Sequence, residues 1–236
     1  MVSAPVLSST DVPVLVKIGL AGLLAVLILP IETARSTPPS WPTDALPFVL
    51  VVGQEVLIGV LIGFVSNLVF VVVALAADML AFQTGLQAAQ ILDPLSNISS
   101  TVLEQFYSMV AILLFLVING HHQLLIGLAR TFEVAPTGTF VLSGLTLDRL
   151  MVLTTETIST GIRIALPIAG SLLLTDLALG LMARAVPQVQ VFFLGLPLKI
   201  GLGFILVAFT LSTMLPVVKD LLGGTVNNML AVSSAR

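Results

Sequence analysis

Six charged residues lie in or beside long apolar runs: Glu55, Asp78, Arg163, Asp176, Arg184 and Lys199. A charge at the centre of a bilayer costs at least about 2.5–3.5 kcal/mol, so such residues face a bundle interior, a partner or water. Three readings follow. They line a polar conduit, they pair with one another or with neighbouring subunits, or Glu55, Asp78 and Asp176 form the proton relay of a secondary transporter. Pairing is the commonest of these arrangements and is the one expected here.

Other chemistry finds little support. His121 and His122 are the only two histidines. Adjacent positions on a helix point about 100° apart, so the two do not form the i, i+4 pair of a zinc helix, and no HExxH pattern follows. With no cysteine in the chain, thiolate metal sites, disulfides and thiol catalysis are excluded. There is no GxSxG nucleophile motif and no phosphate-cradling loop. The sequence therefore points to no cofactor, no metal and no enzymatic activity.

The glycines speak of packing. Gly59 and Gly63 stand four residues apart in "GVLIG", the small-xxx-small spacing that lets membrane helices approach closely. Gly195, Gly201 and Gly203 thin a later helix in the same way. A different signal comes from Asp93, Pro94, Leu95, Ser96, Asn97, Ile98, Ser99 and Ser100. Asp-Pro forces a turn, and the polar residues after it do not continue a helix. Non-helical backbone survives at membrane depth only when buried in protein or lining a wet cavity. By residue physics alone the segment reads as a surface loop; at membrane depth it would be a gate.

The elements that position these residues follow from composition. Of 236 residues, 57% are hydrophobic and 9% charged, and the mean hydropathy is +1.15. A soluble domain carries about 25% charged residues; this chain belongs in lipid or among other hydrophobic subunits. A net charge of −3 without a basic cluster gives no reason to expect a nucleic-acid partner. A bilayer core of about 30 Å asks for about 20 apolar residues per helix. Candidate spans are 12–31, 46–77, 104–129, 151–183 and 190–218. The runs 46–77 and 151–183 are too long for one upright span and fit a tilted helix, a kinked helix or a hairpin. Lys and Arg scatter over successive connections, so charge bias sets no topology. The opening residues have no cationic start and do not read as a signal peptide.

The stretch "RAVPQVQVFFLGLPLKIGLGF" (184–204) resembles the signature of the FliR family of type III secretion export-gate subunits. Arg184, Pro187, Gln188, Val191, Phe192, Gly195, Pro197 and Lys199 match it, and Gln190 stands where the family has Asn. "AFQTGLQ", "LDPLSN", "LLFLVINGHHQLL" and "LPIAGSLLLTDLALGLMARAVPQ" resemble the family in the expected order, over essentially the whole chain. The resemblance implies an all-α membrane protein with a FliP-like part at 1–148 and a FliQ-like helical hairpin at 149–236. It implies a non-enzymatic subunit of the flagellar export gate in the bacterial inner membrane and basal body. Its implied partners are FliP-like and FliQ-like subunits, FlhB-like and FlhA-like export components, and unfolded flagellar substrates. Residues 93–101 then correspond to a plug-like element, which reverses the surface-loop reading. The residues from Arg184 to Lys199 are expected at the hairpin bend, bounded by Pro187 and Pro197, with Arg184 and Lys199 meeting acidic partners or lipid headgroups. Family members carry a further hydrophobic helix before the "APVLSS" turn, so the native frame is expected to extend upstream by about one helix.

Overall fold

A computed structural model describes residues 12–35, 44–87, 101–186 and 191–234, with the side chains of 31–35 and 191–192 excepted. Every regular element among them is an α-helix: α1 Val14–Arg35, α2 Ala45–Thr84, α3 Val102–Val117, α4 Gly120–Val134, α5 Gly144–Ala185 and α6 Val191–Ser234. The protein is an all-α membrane protein. Three of its described helices, α2, α5 and α6, are long and apolar enough to cross a bilayer, and the bent pair α3–α4 makes a fourth candidate.

The two overlong runs are single helices. At 40 residues α2 extends about 60 Å, twice the hydrocarbon thickness. Its one proline, Pro47, lies in the first turn, where no intrahelical donor is lost, and nothing in "GQEVLIGVLIGFVSN" provides the chain reversal a hairpin would need. It stops at Gly85, whose φ of +80° is cheap only without a Cβ. The Gly85 N–H donates to Phe82 O at 3.1 Å and the Gln87 N–H to Ala81 O at 3.4 Å, closing the last turn. Helix α5, with 42 residues, continues through Pro167.

The run 104–129, read as one span, is instead two helices bent by 67°. Asn119 sits between them in the left-handed region, φ 56° and ψ 35°. Asn tolerates that conformation better than other non-glycine residues, and Gly120 follows it. The start of α3 is a capping box: the Glu104 N–H donates to Thr101 Oγ1 at 3.2 Å while the Thr101 N–H donates to Glu104 Oε2 at 3.0 Å. Ser143 caps α5 by accepting from the Thr146 N–H at 3.2 Å.

By contacts the chain forms two compact units. One comprises Met1–Val69, Phe115–Thr155 and Asp220–Arg236; the other comprises Phe70–Leu114 and Glu156–Lys219. The core of the first gathers Ile58, Ile62 and Val65 from α2 with Phe140, Leu153 and Met229. In the second, α2 and α5 approach closely at Gly161, where a Cβ would lie 2.6 Å from Leu75 Cδ2 and 3.2 Å from the Val72 carbonyl oxygen. Gly203 does the same on α6, where a Cβ would meet Thr84 Cγ2 at 2.5 Å.

Buried polar groups are satisfied at home. Ser66, Thr84, Thr131 and Thr210 each donate to the carbonyl four residues earlier, at 2.7–2.9 Å. Among the described residues no buried side-chain nitrogen or oxygen lacks a partner. The hydroxyl of Tyr107, whose side chain is fully buried, lies 2.9 Å from Thr210 Oγ1 and ties α3 to α6. Thr210 keeps its bonds to its own helix without the phenol. Tyr107→Phe is therefore expected to cost about 1 kcal/mol and Tyr107→Ala about 3–5 kcal/mol, read from unfolding of the detergent-solubilised protein. Equal losses for both would show that the hydroxyl, rather than the ring, dominates.

Candidate functional site

The charged residues in the apolar helices have separate fates. Glu55, on α2, accepts a hydrogen bond at 2.8 Å from the backbone N–H of Gly138. Gly138 has φ +80° in the turn after α4, so Glu55 pins that turn to α2. Asp78 is exposed on α2 and contacts Glu104 at the capping box of α3. Asp176 on α5 and Lys199 on α6 form an ion pair, with Lys199 Nζ 2.8 Å from Oδ1 and 2.9 Å from Oδ2. Arg163 and Arg184 are exposed on α5. The expectation of mutual pairing holds for Asp176 and Lys199 and leaves the two arginines without a described partner. Asp176 and Glu55 are each engaged with a donor, which is poor preparation for a proton relay.

The helix limits correct part of the reading of 184–199. α5 ends at Ala185 and α6 begins at Val191, so Arg184 and Lys199 do not flank a short bend together. Pro197 lies inside α6, where its ring removes one backbone donor while the helix continues. Lys199, 18% exposed, reaches inward to Asp176, 47% exposed, which is the acidic partner of the two alternatives expected for it. Gly195 is buried, and a Cβ there would stand 3.1 Å from Leu179 Cδ1 of α5. The pair and this close approach bind α5 to α6 as an antiparallel hairpin. Pro187, Gln188 and Gln190 lie outside the described residues, as does the side chain of Phe192.

The segment Asp93 to Ser100, with Pro94, Leu95, Ser96, Asn97, Ile98 and Ser99, also lies outside the described residues. Its two boundaries are defined: Gly85 ends α2 before it, and the Thr101–Glu104 capping box starts α3 immediately after it. That box went unread in the sequence although T-x-x-E ahead of an apolar run is its signature. Gly63 is buried on α2, whereas a Cβ at Gly59 would meet nothing within 4 Å. Both line an apolar cavity of about 560 Å³ bounded by α1, α2, α4 and Met229. His121 and His122 stack edge to face with ring centres 5.6 Å apart. Among the described residues no group of three or more His, Cys, Asp or Glu side chains is placed to hold a metal ion.

The arrangement offers apolar helices, a pinned turn, an ion-paired hairpin and a capped segment boundary. Comparison with known proteins gives these parts a context. The family model of "Bacterial export proteins, family 1" matches residues 1–225.

The chain belongs to the FliR family of bacterial export proteins.

Flagellar biosynthetic protein FliR of Escherichia coli K12 is 34% identical over 229 residues, covering 97% of this chain and 86% of the relative. That of Bacillus subtilis 168 is 31% identical over 233 residues, 97% and 88%. The protein of Pectobacterium carotovorum is 31% identical over 216 residues, 92% and 80%. As a FliR-family member with long apolar helices, the chain is a membrane-embedded component of the flagellar export apparatus.

Because the Asp176–Lys199 pair is half screened by its surroundings, its worth is modest. A double-mutant cycle with Asp176→Asn and Lys199→Met is expected to give a coupling of about 1 kcal/mol, measured by thermal unfolding in detergent. A coupling indistinguishable from zero would remove the pair from the forces holding the hairpin.

Proposed function

We propose that this chain is a non-enzymatic subunit of the export gate and forms part of the channel through which unfolded flagellar proteins leave the cell. The supporting observation is the coincidence of FliR-family likeness over nearly the whole chain with helices that leave many large apolar side chains exposed, among them Leu166, Leu173, Phe193, Ile205 and Phe209. Apolar surface of this extent needs lipid or other subunits to cover it. The partners in this reading are FliP-like and FliQ-like subunits, with FlhB-like and FlhA-like components at the cytoplasmic side. The setting is the basal body in the inner membrane. Residues 1–148 act as the FliP-like part and 149–236 as the FliQ-like hairpin, whose motif residues Arg184, Pro187, Gln188, Phe192, Gly195, Pro197 and Lys199 serve assembly.

Residues 93–100 act as the plug of the closed gate. A plug blocks ions only while it fills the lumen, and the capping box at Thr101 gives it a fixed root. Deleting Leu95–Ser100 is expected to leave assembly intact and to make the resting complex leak small ions. Conductance of purified complexes in planar bilayers reads this directly; equal, near-zero conductance in both would defeat the plug assignment.

Co-expression with FliP-like and FliQ-like subunits, followed by mass measurement of the intact complex, tests the subunit reading. A chain that stays monodisperse alone and captures neither would sink it. In the same assay Gly63→Leu is expected to reduce recovery of the complex severalfold, because it thickens a face that lets helices approach. Wild-type recovery would remove Gly59 and Gly63 from the packing surface.

A further inference from the structure

The face of α5 that turns away from α2 has an unusual composition. Gly161, Ile164, Ile168 and Leu172 are buried, and Gly161 lies against Leu75 and Val72 of α2. At about 100° per residue, Glu156 and Arg163 stand about 20° apart and roughly 200–220° round from Gly161. Both are exposed, and neither makes a hydrogen bond or ion pair with a described residue. Ser159 and Thr160 lie between them, half-buried. The same face continues in Leu166, Leu174 and Leu177, which are 55%, 65% and 62% exposed.

Neither solvent suits this face. Water would leave its leucines uncovered, and lipid would leave a carboxylate and a guanidinium without counter-charges. A protein surface with an apolar ridge and two charges in the opposite order suits both. A second copy lying parallel would set Glu156 against Glu156 and Arg163 against Arg163, which repels. An antiparallel copy would match the charges, but copies of one membrane chain cross the bilayer in one direction. The partner is then a different chain.

We propose that this face of α5 seats a membrane helix of another subunit, which sets a cation against Glu156 and a carboxylate against Arg163, about 10 Å apart along its axis. The inference rests on the chain being one subunit of a multi-subunit export assembly. Charges at heptad spacing set register and partner choice between helices, and here they select which subunit lies beside α5 and at what height.

The test uses the full chain co-expressed with the other export components. Capture of partners by the wild type comes first, and its failure would overturn the subunit reading itself along with this inference. Given capture, Arg163→Glu is expected to lower co-purified partner at least tenfold and abolish motility in a flagellated host lacking its own copy. Circular dichroism of the variant alone should match the wild type, since Arg163 makes no hydrogen bond or ion pair with a described residue. Suppressors that reverse a charge in a membrane helix of another subunit support the proposal. Suppressors inside this chain, including residues 88–100, overturn it. The swap Glu156→Arg with Arg163→Glu is expected to stay defective; restoration by the swap would show that the two charges serve each other. The chain has no cysteine, so Arg163→Cys is a clean probe. A water-soluble maleimide should label it in the isolated chain and not in the assembly. Equal labelling in both would place this face on water and overturn the proposal.

Discussion

A chain with 9% charged residues has no water-facing surface to spare for unsatisfied polar groups. Every hydroxyl, amide and carbonyl at membrane depth must find its partner within protein, because the alternative costs several kcal/mol each. The helices meet this demand locally. Serines and threonines turn back to the carbonyl one turn earlier, as Ser66, Thr84, Thr131 and Thr210 do. Helix ends are closed by a capping box at Thr101, a serine cap at Ser143 and a left-handed glycine at Gly85. Among the described residues, side chains that reach across between elements include Tyr107 to Thr210, Lys199 to Asp176, Glu55 to the Gly138 amide, Gln83 to the Ala169 carbonyl and Arg149 to Asn228.

The fold class and the family were legible in the residues because both rest on strong signals. Long apolar runs admit little besides membrane helices, and the 184–204 motif packs several unusual residues into a fixed order. Element lengths were less legible. Residues 46–77 exceed a bilayer span, and hydropathy counts residues without saying whether the chain turns; its glycines stand singly and Pro47 lies in the first turn, so the run continues as one helix of 40. The break in 104–129 had a visible cause in Asn119-Gly120, a turn dipeptide hidden inside an apolar run.

Pairings between helices were the hardest to read. Asp176 and Lys199 were both marked as charges needing partners, yet their meeting depends on α5 and α6 folding back with a register that places residues 23 apart in sequence side by side. The same register carries Pro197 into the helix and away from the bend where the family resemblance placed it. Sequence patterns report what a residue requires. Which neighbour answers is decided by packing, and Gly161 and Gly195, where helices close to within a side chain's width, are the positions that set it.

The back-bonded hydroxyls have a mechanical side. A threonine that donates to its own helix has spent its one hydrogen there, and unless a neighbour meets its oxygen, as Tyr107 does at Thr210, its helix meets the next one through shape. Surfaces joined that way behave as bearings more than welds: a small slide along the axis exchanges one set of van der Waals contacts for a similar set without rupturing hydrogen bonds. For a chain belonging to a machine through which other polypeptides pass, that means compliance is inherent in the walls themselves, and stiffness resides at the handful of polar crosslinks that resist the slide.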